Sequence, residues 1–210
     1  MTALFRPWSY PEMPGDIRIA SQKLAVALLE WACRGSLGVS EQDDRYRLVT
    51  EGRDHGAKYS SCGDLAHWLY YRLGVRQPWV NRAEHKGWRV GLNVSNLCWS
   101  PPNAQARPST SADFFEPGDV IVVWNLPQGT DSHVLCVIEH DRAKGVLLTA
   151  EYGQPGGALR TRVLTEKQGA WYIGLRRVRR RLSLQDVLGA AASMGLLEGA
   201  EEPIPEDHNG

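Results

Sequence analysis

The stretch YSSCGDLAHWLYYRLG, from Tyr59 to Gly74, decides the fold because it places a thiol where a helix begins. After Cys62, apolar residues recur three and four positions apart, which predicts a helix that Gly74 ends. Cysteine is not a preferred N-capping residue, so its position needs another reason. The unpaired N–H groups and partial positive charge of a helix N-terminus favour thiolate over thiol. Cys62 is therefore a candidate nucleophile, and a buried structural cysteine is the alternative interpretation.

The composition is that of an ordinary globular chain without overall charge. Its 210 residues, 42% apolar and 23% charged, are enough for one domain with a core. The 24 basic and 24 acidic side chains cancel, so no global field attracts nucleic acid or anionic lipid, and we expect neither as a partner. We interpret the basic cluster Arg176–Arg181 as a solvated edge strand or the lead-in to a helix.

The N-terminal sequence MTALFRPWSYPEMP lacks the basic start and apolar run of a signal peptide. No stretch approaches the ~20 apolar residues of a membrane span. We therefore expect a soluble protein made in the cytoplasm. Lysis, a phage particle or a signal-independent secretion machine would be its routes out of the cell.

The four cysteines predict free thiols. Cys33, Cys62, Cys98 and Cys136 form no CxxC pair and no tight cluster with histidine, so we expect no metal, no disulfide and no cofactor. The sequence also lacks HExxH, GxSxG, a P-loop and GxGxxG, which argues against metalloenzymes, serine hydrolases and nucleotide enzymes.

The predicted elements put helices before an antiparallel sheet. Apolar spacing predicts a helix over 16–34, followed by the Cys62 helix. Five short strands are then predicted at GDVIVVW, SHVLCVIEH, VLLTAEY, LRTRVL and AWYIGLRRV, a meander that favours antiparallel pairing. A last helix, SLQDVLGAAASMGLL, has Ser183 as its N-cap.

This order predicts a single α+β domain. We place that domain at 15–200, with a Trp-rich insert at 75–112. An irregular arm, 1–14, precedes it. The acidic, Pro-containing tail, 201–210, is predicted to be disordered.

A nucleophilic cysteine needs a histidine as base and an acceptor that orients the histidine. Of the six histidines, His133 begins a predicted strand directly after a turn, where a side chain is held rigidly beside a cleft. The strands on either side of DRAKG are about equally long, so Glu151 should lie beside His133 and fix the tautomer of its imidazole. The alternatives are a surface turn histidine and an exposed strand-end carboxylate.

Together, YSSCGDLAHWLYYRLG, FEPGDVIVVW and SHVLCVIEH followed by LLTAEYGQ resemble the CHAP cysteine amidohydrolase/peptidases and their NlpC-type relatives. The likeness covers Tyr59 to Tyr152. It implies a papain-like α+β fold, in which helices pack on a C-terminal antiparallel sheet of about five strands, with a terminal helix. It also implies that Cys62 is the nucleophile, His133 the base, Glu151 the orienting acid and Tyr59 an oxyanion donor.

Residues near these positions are candidates for the substrate groove. Trp99 and Trp124 offer flat faces that bind sugar rings and peptides alike, with core packing as the alternative. Tyr152 and Gln154 follow the predicted acid. The chain departs from the family at Gly153, where the CHAP pattern often has asparagine, and in its Ser-Ser-Cys-Gly context.

The sequence therefore predicts a cysteine amidase or endopeptidase, encoded by a phage or a bacterium, that hydrolyses amide bonds in peptidoglycan. Two alternatives stay open. The same residues can serve a transamidase, deamidase or acyltransferase acting on a protein or a small molecule. The chain can also be a non-catalytic phage or structural module with Cys62 buried, whose N-terminal arm or acidic tail binds a protein partner.

Overall fold

The computed structural model describes residues 15–33, 49, 62–75, 107–125, 130–153, 156–193 and 195–199. Two helices come first, Gly15–Cys33 (α1) and Cys62–Arg72 (α2). The strands are Arg107–Pro108 (β1), Val120–Asn125 (β2), Thr130–Asp141 (β3), Val146–Gly153 (β4), Gly156–Lys167 (β5), Ala170–Ile173 (β6) and Arg176–Leu182 (β7), and Leu184–Ser193 (α3) follows them. No helix within the described part of the chain is long and apolar enough to cross a membrane.

The strands close on themselves. Their order is β1-β7-β2-β3-β4-β5-β6, and β6 pairs with β7 a second time round. Every pairing is antiparallel. Strands β2 to β7 therefore form a closed six-stranded barrel. The predicted papain-like fold, with helices packed on an antiparallel sheet of about five strands, is wrong.

One turn accounts for the difference. AWYIGLRRV was expected to be one strand, but Gly174 and Leu175 form a turn that divides it into β6 and β7. Gly174 has a φ of 60°, which glycine adopts at little cost. The turn brings one edge of β7 against β6, while its other edge pairs with β2. The expectation that Arg176–Arg181 is a solvated edge strand is therefore wrong, since β7 is paired on both edges. This segment does precede a helix, because α3 begins at Leu184.

Two apolar clusters lie on the two faces of the barrel wall. Along β2, Ile121 and Val123 belong to the cluster inside the barrel, whereas Val120 and Val122 belong to the cluster under the helices. This alternation is the period of two expected of a strand with both faces buried. Each of the three helices within the described residues contributes to the cluster under the helices, and α2 contacts β3 and β4. The start of α2 is thereby placed beside the strands that carry His133 and Glu151.

Helix α2 has nearly the predicted bounds. It begins at Cys62 and ends at Arg72. Gly74 follows with a φ of 89°, and its N–H donates to the carbonyl of Tyr71 at 3.0 Å. A glycine in this conformation is a common helix terminator, as the sequence indicated.

Helix α3 is tied to the barrel by a buried carboxylate. Ser183 directly precedes it, as predicted, and the N–H of Leu184 donates to Oδ1 of Asp119 at 3.0 Å. Oδ2 of Asp119 accepts from Nε of Arg181 at 2.7 Å. Asp119 is fully buried, so it joins the turn before β2 to β7 and to α3.

Substitution at Gly118 tests how closely that turn packs on α3. Gly118 has a φ of 86°, and a Cβ there would meet Cδ2 of Leu184 at 2.6 Å. We expect Gly118→Ala to lower the free energy of unfolding by about 3 kcal/mol or more in a urea titration, because backbone strain and overpacking add. Gly174→Ala is the control, since its φ of 60° brings strain but no atom lies within 4 Å. Equal losses in the two variants would contradict the close packing.

Candidate functional site

Cys62 is the first residue of α2 and is 2% exposed. It lies in the cluster between the helices and the barrel. This position places its thiol beside the unpaired N–H groups of a helix N-terminus. Cys33 and Cys136 are likewise buried, none of these three described cysteines is in a disulfide, and Cys98 lies outside the described residues.

Strands β3 and β4 bring His133 and Glu151 together. Nε2 of His133 lies 3.0 Å from Oε2 of Glu151, as the hairpin argument predicted. The side chain of His133 is 16% exposed and that of Glu151 is 3% exposed. His133 is the fourth residue of β3 and not its first, because the strand already begins at Thr130. A Cβ at Gly153 would lie 3.7 Å from Cε1 of the imidazole, an ordinary van der Waals distance, so the ring lies beside the end of β4.

The imidazole of His133 also hydrogen-bonds to the side chain of Cys62. Because Nε2 is engaged by Glu151, Nδ1 is the nitrogen left for the thiol. Burial lowers the pKa of His133, but hydrogen bonds with Cys62 and Glu151 and their negative charges raise it to about 9. The ring is therefore an imidazolium at neutral pH, with both nitrogens donating. This charge state is the one that a neighbouring thiolate stabilises.

Glu151 has two partners that sequence reasoning missed. Its Oε1 accepts from the hydroxyl of Thr149 at 2.6 Å and from Nε of Arg162 at 2.7 Å. Its Oε2 accepts from Nη2 of Arg162 at 2.5 Å. Burial raises the pKa of the Glu151 carboxyl, but hydrogen bonds from His133, Arg162 and Thr149 lower it to about 2. Glu151 is therefore a carboxylate across the physiological pH range.

The alternation of β5 contains the signal that could have revealed these partners. Val163 is 65% exposed, whereas Leu164 lies in the cluster inside the barrel. Arg160 and Arg162 share the face of Leu164, since side chains two apart point the same way. Two arginines on an inward face predict a buried or half-buried carboxylate on the neighbouring strand. Nε of Arg160 lies 3.8 Å from Oε2 of Glu151.

Of the residues predicted to line a substrate groove, the structure describes Tyr152 and Trp124. Tyr152 is fully buried and donates to the carbonyl of Ala32 at 2.8 Å, so its assignment to a substrate groove is wrong. Its side chain faces the helices because it alternates with Glu151 along β4. Trp124 is half-buried on β2, and the guanidinium of Arg179 lies 4.3 Å from its ring centroid. Tyr59, Trp99 and Gln154 lie outside the described residues.

Within the described residues, no group of three or more His, Cys, Asp or Glu side chains could hold a metal ion. Comparisons with protein-family models, curated proteins and solved structures gave no match to the chain. The functional interpretation therefore rests on the geometry of Cys62, His133 and Glu151.

The raised pKa of His133 makes stability depend on pH in a definite direction. Its pKa rises from an ordinary 6.5 to about 9 on folding, so its contribution is complete below pH 6.5 and is lost as the pH rises through 9. We expect the free energy of unfolding of wild type minus that of His133→Asn to shrink by about 3 kcal/mol at most over this interval. Chemical denaturation at several pH values measures it.

His140 provides a control of opposite sign. This residue is 6% exposed and accepts the N–H of Phe115 at 3.1 Å, and burial lowers its pKa. A histidine with a lowered pKa stabilises the fold above its unfolded value, and that contribution is lost as the pH falls. The pH-dependent part of the His140→Asn effect should therefore run opposite to that of His133→Asn. The same sign in both would contradict the imidazolium assigned to His133.

Proposed function

We propose that the protein is a cysteine amidase or endopeptidase that hydrolyses amide bonds, with the stem peptides of peptidoglycan as its substrate class. The observation that carries the proposal is the chain of hydrogen bonds from Cys62 at a helix start through His133 to Glu151. The substrate class is supported by the likeness of residues 59–152 to CHAP and NlpC-type enzymes. That support lies in the order of the three residues and not in the fold.

In the first step the Cys62 thiolate attacks the carbonyl carbon of the amide, and a C–S bond forms. The carbonyl oxygen takes the negative charge of a tetrahedral intermediate. N–H groups in the first turn of α2 have no intrahelical partner and stabilise that charge. The His133 imidazolium, paired with Glu151 through Nε2, gives its Nδ1 proton to the leaving nitrogen as the C–N bond breaks.

The amine then leaves and a thioester remains on Cys62. Water attacks the thioester, and neutral His133 takes a proton from the water. The C–S bond breaks, which releases the carboxylic acid and restores the thiolate and imidazolium. Glu151 stays ionised throughout, because its pKa is about 2. Its part is to hold the imidazole and to stabilise its charged form.

The low exposure of Cys62, 2%, favours a second candidate, a non-catalytic module in which this thiol is a core residue. Both candidates place Cys62 at the start of α2, but they differ in its reactivity. A thiolate paired with an imidazolium reacts with iodoacetamide at neutral pH, whereas a buried neutral thiol is inert. Alkylation therefore separates the two candidates without knowledge of the substrate.

Alkylation of the native protein by iodoacetamide, followed by peptide mass spectrometry across a pH series, tests the activated thiol. We expect the Cys62 rate to reach a plateau well below the ~8.5 typical of a free thiol and His133→Ala to remove that plateau. Cys136 is an internal control in the same sample, since burial raises its pKa well above the ordinary value. Slow labelling of Cys62 with an ordinary thiol profile in both proteins would favour the non-catalytic module.

Hydrolysis of purified peptidoglycan and of its stem peptides under reducing conditions tests the substrate class. We expect new amino groups with wild type and with Cys33→Ala, and none with Cys62→Ala. Turnover should fall as the pH rises through about 9, since His133 then loses the proton that the leaving amine needs. If iodoacetamide readily alkylates Cys62 of the wild-type protein but the protein leaves these substrates intact, the peptidoglycan assignment is refuted. A transferase would instead transfer an acyl group to an added amine.

A further inference from the structure

Glu151 makes more hydrogen bonds than an acid that only orients a histidine requires. A carboxylate has about four lone-pair positions. Those of Glu151 are taken by the hydroxyl of Thr149, by the Nε and Nη2 groups of Arg162, and by Nε2 of His133. The carboxylate is therefore saturated, and half of its bonds come from one arginine.

We propose that Arg162 is a positioning residue of this site, which fixes the Glu151 carboxylate plane and shares its charge so that His133 meets an oriented, partly neutralised acceptor. The effect on turnover rests on the proposed function, whereas the effect on His133 does not. Arg162 acts through Glu151 and does not touch the reacting atoms.

The geometry supports the orienting part of this role. Thr149 is two residues from Glu151 on β4, and its hydroxyl reaches only Oε1 of the carboxylate; the same hydroxyl also lies 3.2 Å from the carbonyl oxygen of Arg160 on β5. Arg162 lies on β5, and its two parallel N–H···O bonds, of 2.7 and 2.5 Å, attach both oxygens to a second strand. A planar two-bond contact of this kind fixes rotation as well as position. Lysine cannot reproduce it, since its ammonium is a point charge.

The charges of Arg162 and Glu151 support the second part of this role, the partial neutralisation of the carboxylate. Arg162 is 26% exposed at its side chain and Glu151 is 3% exposed, so their interaction is only weakly screened by solvent. The positive guanidinium offsets part of the negative potential that the Glu151 carboxylate produces at the His133 ring, and it also repels the imidazolium directly. Both effects disfavour the charged form of His133. Removal of the Arg162 charge should therefore raise the pKa of His133, which a purely structural ion pair far from the ring would not do.

Three variants separate orientation from charge. Arg162→Gln removes both, and Arg162→Lys keeps the charge but loses the two-bond contact. Arg160→Gln is the matched control, because Arg160 lies on the same face of the same strand, is 55% exposed and approaches Glu151 only to 3.8 Å. Thr149→Val removes the hydroxyl that donates to Oε1 and also approaches the carbonyl of Arg160. It changes the shape of the side chain very little, and it serves if Arg162→Gln does not fold.

Nitrogen-15 NMR titration of the His133 ring in the full chain, assigned by its absence in His133→Gln, measures the charge effect. We expect Arg162→Gln to raise the pKa of His133 by about half a unit or more, Arg160→Gln to raise it less, and Arg162→Lys to leave it near the wild-type value. A wild-type pKa in Arg162→Gln together with a lower melting temperature would reduce Arg162 to a structural ion pair.

Kinetics with an amide substrate measures the orienting effect. We expect Arg162→Lys to lower kcat about tenfold or more with little change in KM, because the acceptor of His133 is no longer fixed. Thr149→Val should lower kcat by a smaller factor. Unchanged kcat in Arg162→Lys would overturn the orienting role. If wild type cleaves no amide, the proposed function fails by itself, while the titration still decides whether Arg162 acts on His133.

Discussion

A buried carboxylate is the constraint on which this site depends. Glu151 is 3% exposed, and an ionised carboxylate in such surroundings is strongly destabilising unless it is paired and hydrogen-bonded. Its donors come from three neighbouring strands, His133 on β3, Thr149 on β4 and Arg162 on β5. The register of these strands is therefore coupled to the ionisation of the site. A shift of one residue would turn Glu151 to the opposite face and leave its donors unpaired.

The barrel and the helices bring Cys62 and His133 to the Glu151 carboxylate. Closure through β6 and β7 leaves β3 and β4 in the wall that the helices cover. Apolar residues on the outer face of that wall hold α2, whose first residue is Cys62. His133 then lies between a thiol at a helix N-terminus and a carboxylate fixed by an arginine. The fold and the chemistry share one physical requirement, since each charge must face its partner at the junction of helix and barrel.

The sequence was informative where the determining interactions are local. The α2 bounds follow from apolar spacing and Gly74, and the meeting of His133 with Glu151 follows from equal hairpin arms. Local patterns gave no such guide where distant strands decide the outcome. In the sequence Gly174 is a single residue within an apolar run. In the structure it forms the turn that divides this run and creates β7, the strand that closes the barrel. Tyr152 was misassigned because its neighbour Glu151 faces the site, and alternation should have turned it away.

The contact of Arg162 with Glu151 was also missed because it joins residues on different strands. Arg162 lies eleven positions after Glu151 in the sequence, and only the pairing of β4 with β5 brings them together. The alternation of β5 contained that information, but its use required knowledge of which face of the strand is buried. Charged residues on the buried face of a strand are therefore worth matching to opposite charges on adjacent strands before a site is considered complete.

The proposed hydrolysis requires that Cys62 and His133 form a thiolate–imidazolium pair in the native protein. Ultraviolet difference titration of wild type against Cys62→Ser tests it most directly, since only the thiolate absorbs in the difference spectrum. We expect a thiolate signal that is already present at neutral pH and persists well below the ~8.5 of a free thiol. A signal that develops only at or above that value would contradict the pair and, with it, the proposed cysteine hydrolase.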